Sequence, residues 1–442
     1  MMLNSRNTPH HETIPHSDAS LPEKALSVEK AHARIAREID PVTETERLDL
    51  RGTLGRVLAQ DIFAPFDVPP HTNSAMDGYA IRSADLRPEA HRAFTVTGCA
   101  WAGRPHKGVV GSGQAIQIMT GAVMPPGADR VLMQEHVEKD ADIIRLRPEH
   151  ASRYTEARNG QGDNVRAAGE DLAKGARVLR AGRRIVPADL GLLASLGIAE
   201  AKVRRRLRVA FFCTGDELQS LGEPLEEGAI YDSNRYTLYG MLSRLGVEIH
   251  DLGMVVDEPE AIRQAFARAS AVADVGADAL IATGGVSVGE ADHVKAVLGE
   301  SGRVDFWKIA MKPGHPLAFG RIGATRFFGL PGNPVAVMVS FYQFVQWALA
   351  RMAGERDPQC PPTQRVICLS RLPKKTGRAE FVRGVLEGDP DGGLTVRKTG
   401  SQGSGILHSM SLANCFILLS EEQGNVEPGD LVAVQPFWGV MM

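Results

Sequence analysis

The 442-residue chain is poor in cysteine and contains no long uninterrupted apolar run. Its five cysteines are scattered, odd in number and without C-x-x-C spacing, which predicts reduced thiols in a cytoplasmic protein and excludes a disulfide framework or zinc site. No apolar run reaches the ~18 residues of a membrane span without a charge or a glycine, so no span is expected. Residues 1–22 are polar, lack a signal-peptide core, and are predicted to be a disordered extension.

Charge and nucleotide motifs exclude two further classes of protein. The net charge is −3, which gives no electrostatic basis for binding nucleic acid. The pattern G-x-x-x-x-G-K-[ST] does not occur, and the short run 111–113 lacks the third glycine of a dinucleotide fingerprint. The chain is also too long for a single core, so about two to four domains are expected.

The spacing of apolar segments divides the chain into predicted domains. In residues 207–356 strands alternate with helices, which predicts a mostly parallel α/β sheet with right-handed crossovers. Short strands separated by turn residues predict a β-rich domain at 65–174 and a small C-terminal β-barrel or sandwich at 357–442. Helical spacing at 23–64 and 175–206 predicts one discontinuous helical segment, into which the 65–174 domain is inserted.

Several helix starts carry their own signals. Ser27 is a candidate N-cap for the first helix, and Asp232 or Ser233 for a helix of the α/β region. Asn333 followed by Pro334 fits an N-cap and first helical position before an apolar stretch ending near Met352. Such a helix start offers free N–H groups and a positive dipole end to an anion.

One glycine-rich stretch, residues 278–293, stands at the centre of the prediction. A short apolar strand ends at Thr283, Gly284 and Gly285, and Gly289, Glu290 and Asp292 follow before another helical pattern. A strand, a glycine turn, carboxylates and a helix together are typical of a ligand site at the carboxyl edge of a parallel sheet. The same pattern is also compatible with a loop that only turns the chain.

Carboxylates follow three successive strands of this region. They are Glu217 beside Asp216, then Asp257, and then Asp292 beside Glu290. Because parallel strands place their carboxyl ends on one edge, we expect these groups to converge. Crowded carboxylates repel each other, and Mg²⁺ bridging them to a substrate phosphate would relieve that repulsion.

Two lysines and one helix start complete the predicted site. Lys308 and Lys312 lie four residues apart on an apparent strand and should therefore face one side. Taken singly, the helix start is explained by ordinary capping and the two lysines by a charged surface pair. Carboxylates, lysines and the start of the Asn333–Pro334 helix on one edge together predict a phosphorylated ligand with a divalent cation.

Five motifs then establish a resemblance. They are NSAMDGYA at 73–80, IMTGA at 118–122, TGDEL at 214–218, GGVSVGEAD at 284–292 and LPGNP at 330–334. In this order and spacing the chain, from about residue 23 to 442, resembles the molybdopterin molybdenumtransferase (MoeA) family, which is related to the gephyrin E domain.

The resemblance implies a fold, a reaction and a set of residues. It implies a molybdopterin-binding α/β domain, an inserted β-rich domain, a helical segment and a C-terminal β domain. It implies a homodimer whose site is shared between subunits, with a molybdopterin adenylyltransferase as the upstream partner. The implied reaction inserts molybdate into adenylylated molybdopterin with Mg²⁺ and releases AMP. The implied functional residues are Asp77, Thr120, Asp171, Glu217, Asp257, Asp292, Lys308, Lys312, Pro331, Pro334 and Ser404.

Finer roles follow as hypotheses. Glu217, Asp257 and Asp292 are expected to hold Mg²⁺. The expected ligand-binding residues are Thr214, Gly215, Gly284, Gly285, Ser287, Gly289, Gly332 and Asn333. The chain departs from the family at His315, where a lysine is common. Two alternatives stay open: adenylylation of molybdopterin from ATP, and a pterin-binding scaffold without catalysis.

Overall fold

The computed structural model describes residues 25–86, 93–155, 164–272, 276–285, 293–356, 358, 362–389 and 392–437. The predicted extension 1–22 lies outside these residues, as do Ser287, Gly289, Glu290 and Asp292. The chain divides into two compact units, Val42–Arg205 with Ala353–Asp357, and Met1–Pro41 with Arg206–Met352 and Pro358–Met442. The finer five-part division stays a prediction. No helix among the described residues is both long and apolar enough to cross a membrane.

The first described helix, α1 (Val28–Glu38), begins where its capping residue predicts. The Ser27 hydroxyl accepts a hydrogen bond of 3.3 Å from the Lys30 backbone N–H, which satisfies one of the free donors of the first turn. Ala31 and Ile35, four residues apart, are fully buried, so one apolar stripe holds this helix in place.

The Val42–Arg205 unit is rich in short strands, as predicted. Its strands are β1 (Thr45–Asp49), β2 (Ile62–Phe63), β3 (Asn73–Ser74), β4 (Gly78–Ile81), β5 (Ala93–Ala100), β6 (Gln114–Ile118), β7 (Arg130–Met133), β8 (Val137–Asp140), β9 (Ile143–Leu146), β10 (Val165–Arg166), β11 (Arg177–Leu179) and β12 (Glu200–Arg204). Its helices are α2 (Ala151–Thr155) and α3 (Pro187–Ser195). Gly197, with φ of +68°, follows α3, and its left-handed backbone is typical of a glycine that ends a helix.

Strand pairing in this unit explains how a β-rich segment is inserted between two flanks. Six described strands form a sheet in the order β7-β4-β6-β5-β9-β8. Outside it, β1 pairs with β12, β2 with β11, and β3 with β10, all antiparallel. Chain entering and leaving the inserted sheet therefore runs side by side. One sheet face buries Tyr79 and Phe94, and the other buries Ile116 and Ile118.

The second unit contains the predicted α/β region. Its elements are β13 (Arg208–Thr214), β14 (Leu218–Gln219), β15 (Ile230–Tyr231), α4 (Ser233–Leu245), β16 (Glu248–Val255), α5 (Pro259–Ser270), β17 (Ala279–Thr283), α6 (His293–Ser301), β18 (Gly302–Lys308), β19 (Met311–Lys312), β20 (Pro316–Ile322), β21 (Thr325–Leu330), α7 (Pro334–Ser340) and α8 (Gln346–Met352). Asp232 is the N-cap of α4 and accepts from the Arg235 N–H. A π-helical turn, Phe341–Val345, joins α7 to α8.

The sheet of this region is mostly parallel, as the alternating pattern predicts. Six described strands lie in the order β16-β13-β17-β21-β20-β18. The first four are parallel, and β20 and β18 add an antiparallel edge. Every residue of β17 is buried, which is typical of a central strand covered on both faces. The carboxyl ends of β13, β16, β17 and β21 consequently share one edge of the sheet.

The C-terminal region is a closed barrel. Its elements are β22 (Gln364–Cys368), β23 (Ala379–Gly388), β24 (Leu394–Lys398), α9 (Leu407–Ser411), β25 (Cys415–Leu419) and β26 (Leu431–Pro436). These strands run in the order β23-β24-β22-β26-β25, and β25 pairs back with β23. Closure removes the free strand edges that a sandwich would leave, so the barrel is the correct one of the two predicted alternatives.

Candidate active site

A cleft of about 740 Å³ opens at the carboxyl edge of the parallel strands. It is lined by residues 214–217, Ile230, Asp257, 284–285, 311–316, 331–334, Ala336, Arg378 and 402–404. The sequence-predicted residues that it brings together are Thr214, Gly215, Glu217, Asp257, Gly284, Gly285, Lys312, Pro331, Gly332, Asn333, Pro334 and Ser404. Asp77, Thr120 and Asp171 belong to the other unit. Ser287, Gly289 and Asp292 lie outside the described residues.

The glycine loop after β17 brings two stretches of backbone unusually close. Gly284 has a φ of +80°, and a Cβ there would lie 2.0 Å from the carbonyl oxygen of Thr214. A Cβ at Gly215 would lie 2.6 Å from Glu217 Oε2, so that carboxylate rests directly over the backbone after β13. Only glycine tolerates both the left-handed φ at position 284 and the close approach of the Thr214 carbonyl. The loop therefore presents backbone without side chains, which allows close approach to a ligand.

Replacing Gly284 by alanine should disrupt this edge of the sheet. We expect Gly284→Ala to lower the free energy of unfolding by about 3 kcal/mol or more, because the Cβ meets backbone that has no room to move. Gly299→Ala is the matched control, since nothing lies within 4 Å of a Cβ there in α6. Alanine inside a helix should instead stabilise by about 0.5–1 kcal/mol. Urea unfolding of both variants tests this, and equal stabilities would contradict it.

Asp257 is the strained carboxylate of the cleft. Burial is the largest effect that raises its pKa, the Asp216 and Glu217 carboxylates raise it further, and His293 opposes them. Its Oδ1 is buried and has no hydrogen-bond partner among the described atoms. An orphaned carboxylate oxygen beside two further carboxylates fits a divalent cation. Within the described ranges, however, no three His, Cys, Asp or Glu side chains form a metal cluster.

The cationic side of the cleft differs from the prediction. Lys308 and Lys312 were expected on one strand, but β18 ends at Lys308 and Lys312 belongs to β19. Lys308 pairs with Pro316 across the α/β sheet, whereas Lys312 pairs with Glu380 of the barrel. The chain changes sheets between them, so alternation along a single strand does not apply. Only Lys312 lines the cleft.

Lys312 shares the cleft with Arg378, which the sequence reasoning did not single out. The Lys312 Nζ lies 3.8 Å from Glu380 Oε2, so part of its charge is balanced within the protein. Arg378 is exposed and has no ion-pair partner in the described part of the chain. It precedes β23 of the barrel, far in sequence from every glycine motif, and no spacing signal could have pointed to it. Both cations are placed to attract an anion.

His315 is held in one orientation in the cleft. Its Nδ1 lies 2.7 Å from the Ile309 carbonyl oxygen, so Nδ1 must carry the hydrogen that is donated. The Ile309 N–H donates in return to the His315 carbonyl at 2.7 Å. These two hydrogen bonds close the 309–315 loop, which gives the histidine a structural role at the position where a lysine is common in the family.

The helix start at Asn333 and Pro334 is confirmed, but its donors are partly occupied. Pro334 is the first residue of α7, and the Asn333 side chain makes no capping hydrogen bond. The Val335 N–H donates to the Ser404 carbonyl at 3.0 Å. The expectation that this N–H is free for a ligand is therefore wrong, because the barrel loop at Ser404 occupies it.

A buried arginine organises that barrel loop. Arg383 is 1% exposed, and burial lowers the pKa of its guanidinium to about 10, so the group stays charged at neutral pH. It donates to the carbonyls of Ser401, Gln402 and Gly403 and to the Ser409 hydroxyl, over 2.9 to 3.3 Å. Three of these four acceptors are backbone carbonyls of residues 401–403, and no carboxylate pairs with Arg383 among the described residues. The guanidinium therefore fixes the path of residues 401–404.

Removing this guanidinium should unfold the loop locally. We expect Arg383→Ala to reduce the free energy of unfolding by about 3 kcal/mol, because several buried carbonyls lose their donor. The control is Arg371→Ala in the same barrel, whose side chain is 70% exposed and pairs with Glu427 at the surface. Surface pairs contribute about 0.5 kcal/mol or less. Denaturant unfolding measures the loss of stability in each variant, and hydrogen exchange of residues 401–404 reports whether the loop opens. Equal losses of stability in Arg383→Ala and Arg371→Ala would contradict the prediction.

In the Val42–Arg205 unit, Asp77 and Thr120 are in direct contact. Asp77 Oδ1 accepts hydrogen bonds from the Thr120 N–H at 2.7 Å and from the Thr120 hydroxyl at 2.8 Å. The backbone N–H, and then the hydroxyl, lower the pKa of Asp77. Asp171 is exposed, and its N–H donates to the Val68 carbonyl. Asp77 precedes β4 and Thr120 follows β6, so the pairing of these strands brings together two predicted residues that are 43 positions apart in sequence.

The fold and the cleft together define a multidomain α/β protein with a ligand cleft at the carboxyl edge of a parallel sheet. Residues 26–197 match the family described as "MoeA N-terminal region (domain I and II)". Residues 210–351 match "Probable molybdopterin binding domain", and residues 365–437 match "MoeA C-terminal region (domain IV)". The chain belongs to the MoeA family of molybdopterin molybdenumtransferases.

Individual relatives agree with this assignment over nearly the full chain. The molybdopterin molybdenumtransferase of Haemophilus influenzae is 42% identical over 412 residues, covering 93% of this chain and 98% of the relative. Gephyrin of Dictyostelium discoideum is 31% identical over 92% of this chain and 61% of its own length. The crystal structure of the molybdopterin biosynthesis MoeA protein from Pyrococcus horikoshii aligns with a TM-score of 0.78 and 30% identity, covering 93% of this chain and 100% of that one.

Proposed function

We propose that the chain inserts molybdenum from molybdate into adenylylated molybdopterin and releases AMP. The observation that carries this proposal is the composition of the cleft. Backbone shaped for phosphate, an orphaned carboxylate at Asp257 and the cations Lys312 and Arg378 meet in one space of about 740 Å³. Such a cleft suits a ligand with a pyrophosphate group together with a small oxyanion such as molybdate.

Each part of the cleft then has a role in this reaction. The backbone at Gly284 and Gly285 approaches a phosphate of the ligand without a side chain in the way. Lys312 and Arg378 attract molybdate or phosphate and hold it against the loop that Arg383 fixes. AMP leaves when an oxygen of water or of molybdate attacks phosphorus and the phosphoanhydride bond breaks. The charges of the cleft are arranged before the substrate arrives, and such preorganisation is usually the largest single catalytic contribution.

We propose Mg²⁺ as the cation of this site. Glu217 and Asp257 would hold it, with Asp292, which lies outside the described residues, as the predicted third ligand. The buried, unpartnered Asp257 Oδ1 supports this proposal. When bound, the ion neutralises charge on the phosphates and acts as a Lewis acid.

An AMP-release assay tests the proposed function. Purified protein is mixed with adenylylated molybdopterin, with and without molybdate and Mg²⁺, and AMP is quantified. We expect AMP release that requires both additions. ATP consumption by the pure protein would instead favour the adenylyltransferase alternative, and pterin binding with no turnover under any condition would favour a scaffold.

We also propose a homodimer in which each site takes residues from two copies of the chain. Asp77 and Thr120 sit in one compact unit and the cleft in the other, which motivates this proposal.

The substrate is itself a nucleotide-activated pterin, so a molybdopterin adenylyltransferase is the expected upstream partner. The four cysteines among the described residues, Cys99, Cys213, Cys368 and Cys415, form no disulfide, which supports a role in the reducing cytoplasm.

A further inference from the structure

Asp77 is an oriented carboxylate with one oxygen occupied. Its Oδ1 accepts two hydrogen bonds from Thr120, while no hydrogen bond to Oδ2 is found among the described residues. The side chain is only half-buried, and the hydrogen bonds from Thr120 favour its ionised form. A carboxylate held by one oxygen and open at the other is a prepared acceptor for N–H groups of a ligand.

Trp101 is an exposed aromatic ring held in a fixed position. It is 47% exposed, although an indole is among the side chains that gain most from burial. Its backbone exchanges two hydrogen bonds with Arg104, at 3.1 and 2.9 Å, which close a tight turn after β5. Its Nε1–H donates to Cys99 Sγ at 3.2 Å. The ring is therefore oriented by its own strand while part of its surface stays open.

Strand register places Trp101 and Asp77 on the same face of the sheet. Gln117 of β6 pairs with Cys99 of β5 on one side and with Tyr79 of β4 on the other. Paired side chains share a face, and the face repeats every second residue. Trp101 is two residues after Cys99, and Asp77 is two residues before Tyr79. Each lies one residue beyond its strand, and alternation continued by that one residue assigns both to this face at the same end.

The distance between them suits a flat two-ring ligand. β4 and β5 are separated by one strand, which puts their backbones roughly 10 Å apart. The Met119 N–H donates to the Ala100 carbonyl at 3.2 Å, so β5 and the segment leading to Thr120 stay paired up to this end. The aromatic ring and the anionic acceptor thus start from backbone positions whose separation of roughly 10 Å accommodates the width of a bicyclic heterocycle.

We propose that Trp101 and Asp77 form a subsite for the aminopyrimidinone end of a pterin, an inference that rests on the proposed function. A pterin presents two adjacent donors, the 2-amino group and the neighbouring ring N–H, and the two lone pairs of the open Asp77 Oδ2 can accept from both. The indole covers the flat ring. Adenine presents a donor beside an acceptor nitrogen, which the carboxylate repels. The subsite therefore selects the pterin half of the adenylylated substrate over its adenine half.

Equilibrium binding of free pterin and of lumazine tests this subsite directly. Lumazine carries an oxygen in place of the 2-amino group, and fluorescence anisotropy of either ligand reports its binding to the full-length chain. We expect the wild-type protein to bind pterin about tenfold more tightly than lumazine, because a lost donor leaves the acceptor unpaired. Asp77→Asn should remove this preference. Trp101→Ala should weaken pterin binding about tenfold, whereas Trp101→Phe keeps the stacking surface and stays within about threefold.

Phe63→Ala is the matched control, since Phe63 is 54% exposed in the same unit. It should leave both affinities unchanged. Equal affinity of the wild-type protein for pterin and lumazine, no pterin binding at millimolar concentration, or wild-type binding by Trp101→Ala would each overturn the subsite. AMP release measured on the same preparations separates the two proposals. If the wild-type protein releases AMP while Asp77→Asn and Trp101→Ala bind pterin as tightly as the wild type, only the subsite is refuted. If the wild-type protein releases no AMP, the proposed function is refuted.

Discussion

Asp257→Asn should abolish activity and stabilise the protein at the same time. We expect AMP release to fall at least about a hundredfold, because the substitution removes a ligand of the proposed Mg²⁺ ion, which would neutralise charge on the reacting phosphates. We also expect a higher midpoint of thermal unfolding at neutral pH. The wild-type carboxylate is buried near Asp216 and Glu217 with an unpartnered oxygen, and the neutral amide relieves that repulsion.

The pH dependence of this stabilisation follows from the raised pKa of Asp257. In the unfolded chain the group ionises near its ordinary value of 3.8, whereas in the folded protein it keeps its proton to higher pH. The folded state thus binds more protons between the two pKa values, and wild-type stability falls as the pH rises through that window. The stability difference between Asp257→Asn and the wild type should be small near pH 4 and reach its full size at neutral pH.

Thermal unfolding at several pH values, with and without Mg²⁺, measures this effect. Mg²⁺ should raise the unfolding midpoint of the wild type and have less effect on the variant, because binding to the folded state stabilises it. Asp305→Asn is the control, an exposed aspartate on β18 outside the cleft, and should change stability by about 0.5 kcal/mol or less. A variant that is less stable than the wild type at neutral pH would refute the role of Asp257 as a strained carboxylate.

Two inactive variants should restore activity when they are combined. If each site takes Asp257 from one copy and Asp77 from its partner, a dimer of an Asp77→Asn chain with an Asp257→Asn chain contains one intact site. Random mixing makes half of the dimers mixed, so the mixture should show roughly a quarter of wild-type AMP release. Each variant alone should show almost none. Co-expression with two affinity tags yields the mixed dimer, whose activity per dimer should be about half that of the wild type.

This experiment also has a clear negative outcome. Mixed dimers that are purified intact and remain inactive would show that Asp77 and Asp257 act within the same chain, whereas activity of either variant alone would show that its residue has no essential role. The combination of Asp257→Asn with Lys312→Ala is the matched control, because both residues line the same cleft. In that pair each cleft takes both side chains from one copy, so each cleft of the mixed dimer carries one substitution and the mixed dimer should stay inactive. Activity in the mixture of the Asp77 and Asp257 variants, with none in the control mixture, would support a site shared between copies. Activity in the control mixture would contradict the placement of Asp257 and Lys312 in one cleft of one copy.

The sequence by itself determined the elements whose signals are local. Gly284 and Gly285 after a buried strand, Ser27 and Asp232 as N-caps, and Pro334 at a helix start depend only on neighbouring residues, and each is found where it was predicted. The alternation of strands and helices also predicted the parallel sheet. That prediction placed Glu217 and Asp257 at one edge, because parallel strands leave no other arrangement of their carboxyl ends.

The tertiary structure alone decided which distant side chains meet. Lys308 and Lys312 are four residues apart but lie in different sheets, since the chain crosses from the α/β sheet to the barrel between them. Arg378 and the Ser404 loop, whose path Arg383 fixes, reach the cleft through closure of that barrel, which depends on long-range pairing of β23 with β25. Such pairing brings residues together through backbone hydrogen bonds that any side chain permits, so no residue pattern in the sequence announces it.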